Sequence, residues 1–229
     1  MAKKGSTDVK ATTRSPLTRE RVVADALKLV DREGLDALTM RALGRELCCD
    51  PMGIYRHVRD KDELIGALAE SVWAEIELPE GRLPGTWQEQ FAEAFRLLRN
   101  TLLSHPNVLP VMFTSGAQGP AALERTEFAL EILIGAGLSP HDAMSGLHAA
   151  SCFLLGGVLG QVEAPAESWE EAQVEQVMEF YRHLSPTDFP SLTKVMETGE
   201  VPNPDDSFER GMDLIIRGLE TLVPAAVPD

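Results

Sequence analysis

The chain has 229 residues, enough to bury a substantial core as one large domain or two smaller ones. Hydrophobic residues make up 44% and charged residues 25%, which excludes a disordered chain. The formal net charge of −15 argues against a nucleic-acid binder, but it conceals a division. Residues 1–61 carry 13 Lys and Arg against 9 Asp and Glu, and residues 62–229 carry 8 against 27, so a basic segment is joined to an acidic body.

The first fifteen residues, 1–15, are polar and basic without hydrophobic periodicity, which predicts a flexible basic arm. Their cations could contact phosphates or the minor groove of DNA, as other N-terminal arms do, and a solvated tail is the alternative. The arm lacks the apolar core of a signal peptide. Three cysteines are too few for a disulfide framework, so we expect a cytoplasmic protein.

Three helices are predicted over residues 16–61. Thr18, Thr39 and Asp50 each suit the N-cap of one helix, and Pro51 suits a first helical position, where its missing N–H costs nothing. The helices would be about 17, 8 and 7 residues long, joined by turns of about four or five residues. The second and third helices then form a helix-turn-helix, an arrangement that places its second helix in the major groove of DNA.

Beyond this trihelical domain, the pattern predicts a connecting helix over residues 62–78 and a Pro- and Gly-rich linker over residues 79–86. Residues 87–229 then form a second helical domain. Alternation of apolar and polar residues never persists, and no hairpin signal lies between apolar runs. The predicted fold is therefore all-α, with about ten helices.

Two stretches of the second domain are unusual. Residues 143–162 carry no formal charge and approach membrane-spanning length, but their polar side chains and glycines favour a buried helix, so we expect no membrane contact. Residues 185–206 contain four prolines and little periodicity, which predicts a long loop. A capping pattern at Asp206 then predicts a final packed helix that runs to Val223.

The second helix of the helix-turn-helix, within residues 39–61, carries the candidate DNA contacts. Arg56 could pair bidentately with guanine, and Met52 offers apolar contact to a thymine methyl. The alternative is an ordinary helical hairpin with Tyr55 in the core and Arg56 solvated. The candidates on or next to this helix are Pro51, Met52, Gly53, Tyr55, Arg56, His57 and Lys61.

From Thr18 to about Ile76, the sequence resembles the DNA-binding domain of the tetracycline-repressor (TetR) family of bacterial regulators. The resemblance rests on the segment GLDALTMRALGRELCCDPMGIYRHVRDKDELIGAL, which carries the tyrosine, His-Val and Lys-x-x-Leu of that family in place. It implies that Thr39, Met40 and Arg41, at the start of the helix before the turn, also contact DNA or its backbone.

One residue of this segment departs from the family pattern. Cys48 stands where the family often has a glycine in the turn. Cys48 and Cys49 therefore predict a tight, partly buried turn, and a redox switch is the less favoured alternative.

The second domain is similar to the ligand-binding domain of the tetracycline-repressor subclass, through Trp87 and the segments 102–105 and 153–159. In that subclass a drug–magnesium chelate is held by polar side chains. At four of those positions this chain has Glu77, Ala94, Met112 and Gly160. We therefore expect no metal or other cofactor, and a ligand other than magnesium–tetracycline.

The resemblance implies a small-molecule pocket, which we expect to be apolar with few polar groups. Each candidate could equally belong to the core, since aromatic residues and Met at helical spacing are typical of cores. Glu77 and His148 are the better candidates, because a polar group in apolar surroundings needs a partner. The candidates are Trp73, Glu77, Phe95, Leu98, Met112, Phe113, Phe128, His148 and Cys152.

The resemblance also implies a homodimer, because the family packs its last two long helices into a four-helix bundle between subunits. In this chain those helices are 140–162 and 206–223. A twofold dimer would present two recognition helices to half-sites about 34–36 Å apart. The predicted interface residues are Gly156, Gly157, Gly160, Met212, Ile216 and Leu219.

The sequence thus favours a ligand-responsive repressor that binds a palindromic DNA operator as a homodimer and is released by a small, bulky, largely apolar inducer. A regulator of the same fold without a small-molecule ligand, controlled by a protein partner through residues 185–206, is the alternative. An enzyme with an accessory helix-turn-helix is disfavoured, because the sequence has no phosphate loop, nucleophile motif or metal triad.

Overall fold

The computed structural model describes residues 16–79, 81, 83–112, 119–163, 178–198 and 203–224. The described residues contain no strand, so the all-α prediction is confirmed. They include ten helices, labelled α1 to α10 below, and a further helical stretch at residues 178–182, against about ten predicted. The chain divides into two compact units between Leu64 and Ile65. The predicted basic arm lies outside the described residues.

The first unit contains the three predicted helices, each started by its predicted cap. Thr18 Oγ1 accepts from Arg21 N at 3.3 Å, Thr39 Oγ1 from Ala42 N at 3.0 Å and Asp50 Oδ1 from Met52 N at 2.8 Å. These caps satisfy N–H groups that have no partner within the helix. The helices are α1 (Arg19–Glu33), α2 (Met40–Glu46) and α3 (Pro51–Ile54).

Helix α3 is shorter than the predicted length of about seven residues. Its backbone continues to turn after Ile54, but through tighter bonds from Arg56 N to Gly53 O and from His57 N to Ile54 O. Such i to i+3 bonds commonly tighten the last turn of a helix. The apolar side chains under this turn, Ile54 and Val58, are buried in the first unit.

Helix α4 (Lys61–Ala74) begins in the first unit and ends in the second. It is shorter than the predicted connecting helix because its backbone leaves the α conformation after Ala74. The other helices of the second unit are α5 (Trp87–Ser104), α6 (Leu109–Met112), α7 (Pro120–Gly135), α8 (Pro140–Glu163), α9 (Pro190–Met196) and α10 (Pro204–Glu220).

Two expectations for the C-terminal segments are wrong. The predicted loop 185–206 contains α9, which starts at a proline in its first turn, a position where proline is tolerated. The last helix starts at Pro204 rather than Asp206, because Asn203 Oδ1 accepts from Asp206 N at 2.8 Å and forms the cap.

The core of the second unit includes the contact between α8 and α10. A Cβ atom at Gly146 would overlap the side chain of Leu219, and one at Gly211 would overlap the ring of Phe153. The two helices therefore approach closely because these glycines lack a side chain. The later glycines of α8 make no such close contact within the described chain, because Gly156, Gly157 and Gly160 face open space.

Helix α8 is not the buried helix that was predicted. Over Pro140–Val162 it is long and apolar enough to cross a membrane by length and composition, with mean hydropathy 1.4, which by itself is weak grounds for a span. Only 28% of the apolar window is buried within the chain, so α8 has a largely uncharged exposed face.

Candidate nucleic-acid interface and small-molecule recess

Helix α3 and the residues just after it hold three of the predicted DNA contacts at the surface. Met52 is 69% exposed and Tyr55 44%, because Ile54 and Val58 occupy the inward positions of the same segment. The alternative of a hairpin with Tyr55 in the core is therefore wrong. Arg56 is also exposed, whereas Gly53 is half-buried.

A cleft at the turn between α2 and α3 extends from the start of α2 to the start of α3. Its lining includes Thr39 and Arg41 from the predicted set, together with Arg45, which was not predicted. Arg45 lies four residues after Arg41 on α2, so the two cations share one face of the helix. That spacing was the available signal. Pro51 closes the cleft at the start of α3.

Four exposed cations of this unit are held by no carboxylate among the described residues: Arg41, Arg45, Arg56 and Lys61. By contrast, Arg59 pairs with Asp60 at 3.0 Å. Unpaired exposed cations are the groups that can neutralise phosphates.

The carboxylates of Asp60 and Glu63, at the start of α4, accept hydrogen bonds from backbone N–H groups. A hydrogen bond from Glu63 N lowers the pKa of Asp60, with a further contribution from Arg59. A hydrogen bond from Arg59 N likewise lowers the pKa of Glu63. These carboxylates thus form a helix cap and leave Lys61 exposed beside it.

Of the remaining predicted DNA contacts, His57 and Met40 are half-buried. Contact with DNA stays a prediction for the whole set.

The second unit contains a recess of about 510 Å³, part of it open to solvent, between the end of α4 and helices α5, α7 and α8. Four of the nine predicted pocket residues line it: Trp73, Phe95, Leu98 and Phe128. The lining residues that were not predicted are Ile76, Leu78, Ala94, Arg125, Thr126, Ala129, Leu147 and Ser151.

Four predicted pocket residues lie elsewhere. Met112 is fully buried without lining the recess, and Glu77 is exposed. His148 and Cys152 are exposed on α8, with 3.6 Å between Nε2 and Sγ. A fifth, Phe113, lies outside the described residues.

The geometry of an α-helix explains the two errors on α8. Leu147 and Ser151 of α8 line the recess at i and i+4, so His148 and Cys152, each one position further, are turned about 100° away from it.

The lining is apolar apart from the indole N–H of Trp73 and three polar or charged side chains, Arg125, Thr126 and Ser151. Thr126 Oγ1 donates to Ala122 O at 2.9 Å and Ser151 Oγ donates to Leu147 O at 2.8 Å, so both hydroxyl protons are directed to their own helix. Arg125 is the one cation among the lining residues. No group of three or more His, Cys, Asp or Glu side chains among the described residues is placed to hold a metal ion.

The predicted dimer-interface residues of α8 are exposed, whereas those of α10 are buried. Gly156, like Gly157 and Gly160, is exposed on α8. Met212, Ile216 and Leu219 are buried on the inner side of α10 and leave no free surface for a second subunit, so their assignment is corrected. The exposed side of α10 carries Leu214.

Comparison with known proteins places this arrangement among regulators. Residues 79–223 match the family described as tetracyclin repressor-like, C-terminal domain. An HTH-type transcriptional regulator of Saccharopolyspora erythraea is 28% identical over 211 residues, covering 90% of this chain and 86% of the relative. The tetracycline repressor protein class C of Escherichia coli is 30% identical over 207 residues, covering 90% and 92%.

A solved structure extends the likeness over both units. The Streptomyces coelicolor protein ActR, in its crystal structure in complex with actinorhodin, matches with a TM-score of 0.82 and 33% identity. The match covers 93% of this chain and 100% of that one.

Proposed function

The chain belongs to the tetracycline-repressor (TetR) family of transcriptional regulators, and from this premise we propose that it is a cytoplasmic repressor. It binds a palindromic operator as a homodimer, and a small, bulky, largely apolar molecule in the recess releases it. Residues 16–61 form the DNA-binding domain. Residues 62–78 form the helix that connects it to the second domain, followed by a linker at residues 79–86. Residues 87–229 form the domain that binds the ligand and the second subunit. The chain has no catalytic role.

The observation that carries this proposal is the course of α4. The helix starts at Lys61, a proposed phosphate contact, and ends just after Trp73, which lines the recess. A ligand that changes the end of one rigid helix can change the position of its start. This requires only that the ligand bind the released conformation better, by roughly 1–3 kcal/mol.

The recess supports an apolar inducer. Its lining is mainly aliphatic and aromatic, and a relative of similar fold has been crystallised with a small molecule, actinorhodin. Magnesium–tetracycline is not the proposed ligand, because the side chains at Met112 and Gly160 carry no oxygen or nitrogen that could hold a magnesium ion.

The proposed dimer uses the exposed faces of α8 and α10. Gly156, Gly157 and Gly160 of α8 have open space where a Cβ would lie, so a second backbone could come close to them. Leu214 of α10 is 70% exposed, an unusual position for a large apolar side chain on a single subunit.

The DNA-binding part is tested with operator sequences selected by the wild-type protein from random duplexes. We expect Tyr55→Ala and Arg56→Ala to weaken binding at least tenfold in a mobility-shift titration, because each removes a base or phosphate contact. Lys61→Ala should reduce the slope of log affinity against log salt by about one, because one phosphate is then no longer neutralised.

Lys28→Ala is the matched control, because Lys28 is an exposed lysine of the same unit that pairs with Asp25 at 2.9 Å. It removes the same charge from another helix and should leave the slope unchanged. Undiminished DNA binding by the Tyr55 and Arg56 variants would refute the assignment.

A regulator controlled by a protein partner is the second candidate. It is favoured by exposed apolar side chains around α9, namely Phe189 and Val195, at 51% and 55% exposure. Phe189→Ser should then abolish regulation in cells without changing operator affinity in vitro. A small molecule that releases the purified protein from DNA would count against this alternative.

A further inference from the structure

Helices α4 and α7 hold each other's ends through one side chain each. Glu70 of α4 accepts a hydrogen bond at Oε1 from Ala121 N, at 2.7 Å, in the first turn of α7. Arg125 of α7 donates in return to Ile76 O just beyond the end of α4, at 2.8 Å from Nη2 and 3.2 Å from Nε. Each charge has the sign that the neighbouring helix end favours.

Arg125 also faces the recess. Its side chain is only 15% exposed, and the two hydroxyl groups of the lining already donate to their own helices. A ligand oxygen that enters the recess therefore meets one charged donor, this guanidinium. The carboxylate nearest to it, Glu124, is 69% exposed and so is screened by solvent.

Apart from the Glu124 carboxylate, which accepts from Nη1 at 2.8 Å, the present acceptors of Arg125 are neutral. They are the carbonyls of Ile76 and Ala74, the latter at 3.5 Å, together with Ala121 O at 3.3 Å. A ligand carbonyl or carboxylate can replace such an acceptor without reducing the number of hydrogen bonds that the guanidinium donates. A carboxylate also adds a charge opposite to that of the guanidinium. An apolar ligand without an acceptor leaves the guanidinium where it is.

We propose that Arg125 selects the ligand: the recess takes a flat apolar ring system that carries a hydrogen-bond-accepting oxygen. This oxygen draws the guanidinium from the carbonyls of Ala74 and Ile76, and the end of α4 is released. The inference rests on the proposed function, because it takes the recess as the inducer site. It adds the chemical class of the inducer and the contact through which the inducer acts.

Three probes that share one ring test the selection. They are 2-acetylnaphthalene, 2-isopropenylnaphthalene, which replaces the carbonyl oxygen by a methylene of similar shape, and 2-naphthoate. Binding to the full chain is measured by calorimetry or fluorescence. We expect the ketone to bind on the order of tenfold more tightly than the alkene, and the carboxylate at least as tightly as the ketone, because a hydrogen bond to a charged donor is formed.

Variants of Arg125 show whether the preference for the ketone depends on this side chain. In Arg125→Met the ketone and the alkene should bind equally, and in Arg125→Lys part of the preference should remain. Glu124→Gln is the matched control: it removes the carboxylate at 2.8 Å from Nη1 but leaves the contact with Ile76 O, and should keep the full preference. Circular dichroism and thermal melting establish that each variant is folded.

Operator DNA tests the release. Arg125→Met should bind the selected operator several-fold more weakly than the wild type without any probe, and 2-acetylnaphthalene should no longer alter that affinity. Glu124→Gln should respond as the wild type does.

The inference is overturned if the wild type binds the ketone and the alkene equally, or binds neither, or if Arg125→Met keeps the preference. Sequence-specific binding of the wild type to the selected operator would in each case leave the proposed repressor standing. If the wild type selects no operator, the repressor proposal is refuted. The probe-binding measurements on the Arg125 variants would still test the ligand preference, because they do not involve DNA.

Discussion

Cys48 occupies a backbone conformation that suits glycine better. Its φ is +51°, and it is the single non-glycine residue with positive φ among those the structure describes. The Cβ atom of an L-residue crowds the neighbouring carbonyl in this region, at a cost of roughly 1–2 kcal/mol. The turn between α2 and α3 is thus held in place against local strain, which the packing of Leu47 and Ile54 offsets.

We expect Cys48→Gly to raise the free energy of unfolding by about 0.5–1 kcal/mol, since relief of the strain exceeds the added entropy of an unfolded glycine. Urea unfolding under reducing conditions measures the change. Cys49→Gly is the matched control at a residue whose φ is not positive, and it should lower stability by a similar amount. A Cys48→Gly protein less stable than the wild type would show that the turn is not strained.

The side chains of the recess mark where prediction from sequence ends. Helix α8 is uncharged for most of its length, so no polar face indicates which of its sides is buried. The prediction chose His148 and Cys152 by their chemistry, whereas Leu147 and Ser151, one position earlier, line the recess. The spacing of apolar residues predicts that a helix forms. Which side of the helix faces the core can be predicted only when one face is polar and the other apolar.

Helix α10 shows the opposite case. Charged and apolar residues lie on opposite faces of this helix, and the residues of its apolar face, Phe208, Met212, Ile216 and Leu219, are all buried. The fold class, the caps of the first unit and this inner face could be predicted because each depends on local sequence. Which apolar surface meets α8 of the same chain, and which meets another subunit, depends on distant residues, and here the prediction was wrong.

Helices α5 and α10 are joined by a bidentate ion pair. Arg96 donates to Glu209 through Nε and Nη2, both at 2.7 Å, and these hydrogen bonds lower the pKa of the Glu209 carboxyl. A lowered folded-state pKa contributes stability above the unfolded pKa of about 4.3, and that stability is lost as the pH falls through the folded value. The pair therefore strengthens the contact between these helices at pH values above about 4.3, and this contribution is lost in acid.

We expect Glu209→Gln to lower the free energy of unfolding by roughly 0.5–1 kcal/mol at pH 7, since the pair is largely exposed. The difference from the wild type should shrink as the pH falls below the unfolded pKa of about 4.3 and disappear once the wild-type carboxyl is also protonated in the folded state. Urea unfolding at neutral and at acidic pH measures it. Glu220→Gln removes a carboxylate that accepts from neutral Gln88 on the same two helices and is the control for the loss of one exposed carboxylate.

At the scale of the whole molecule, the charge is divided in a way that suits the proposed DNA-bound dimer. Residues 62–229 carry a net charge of −19, as 8 Lys and Arg minus 27 Asp and Glu, yet residues 143–162 of α8 carry none. An exposed uncharged helix face on so acidic a body avoids the repulsion that two copies would otherwise feel. A twofold contact brings the same face of each copy together, so every favourable contact occurs twice.

Leu214→Arg tests that contact. Two copies of a buried cation would meet near the twofold axis, so we expect the mass by light scattering to fall from twice the chain mass to that of one chain. Operator affinity should fall by at least a hundredfold, because one recognition unit then binds one half-site alone. Leu123→Arg is the matched control: Leu123 is 56% exposed on α7, against 70% for Leu214. A Leu214→Arg protein that stays dimeric would place the interface on another face of the chain, and the arrangement of the two DNA-reading units would have to be derived from that face instead.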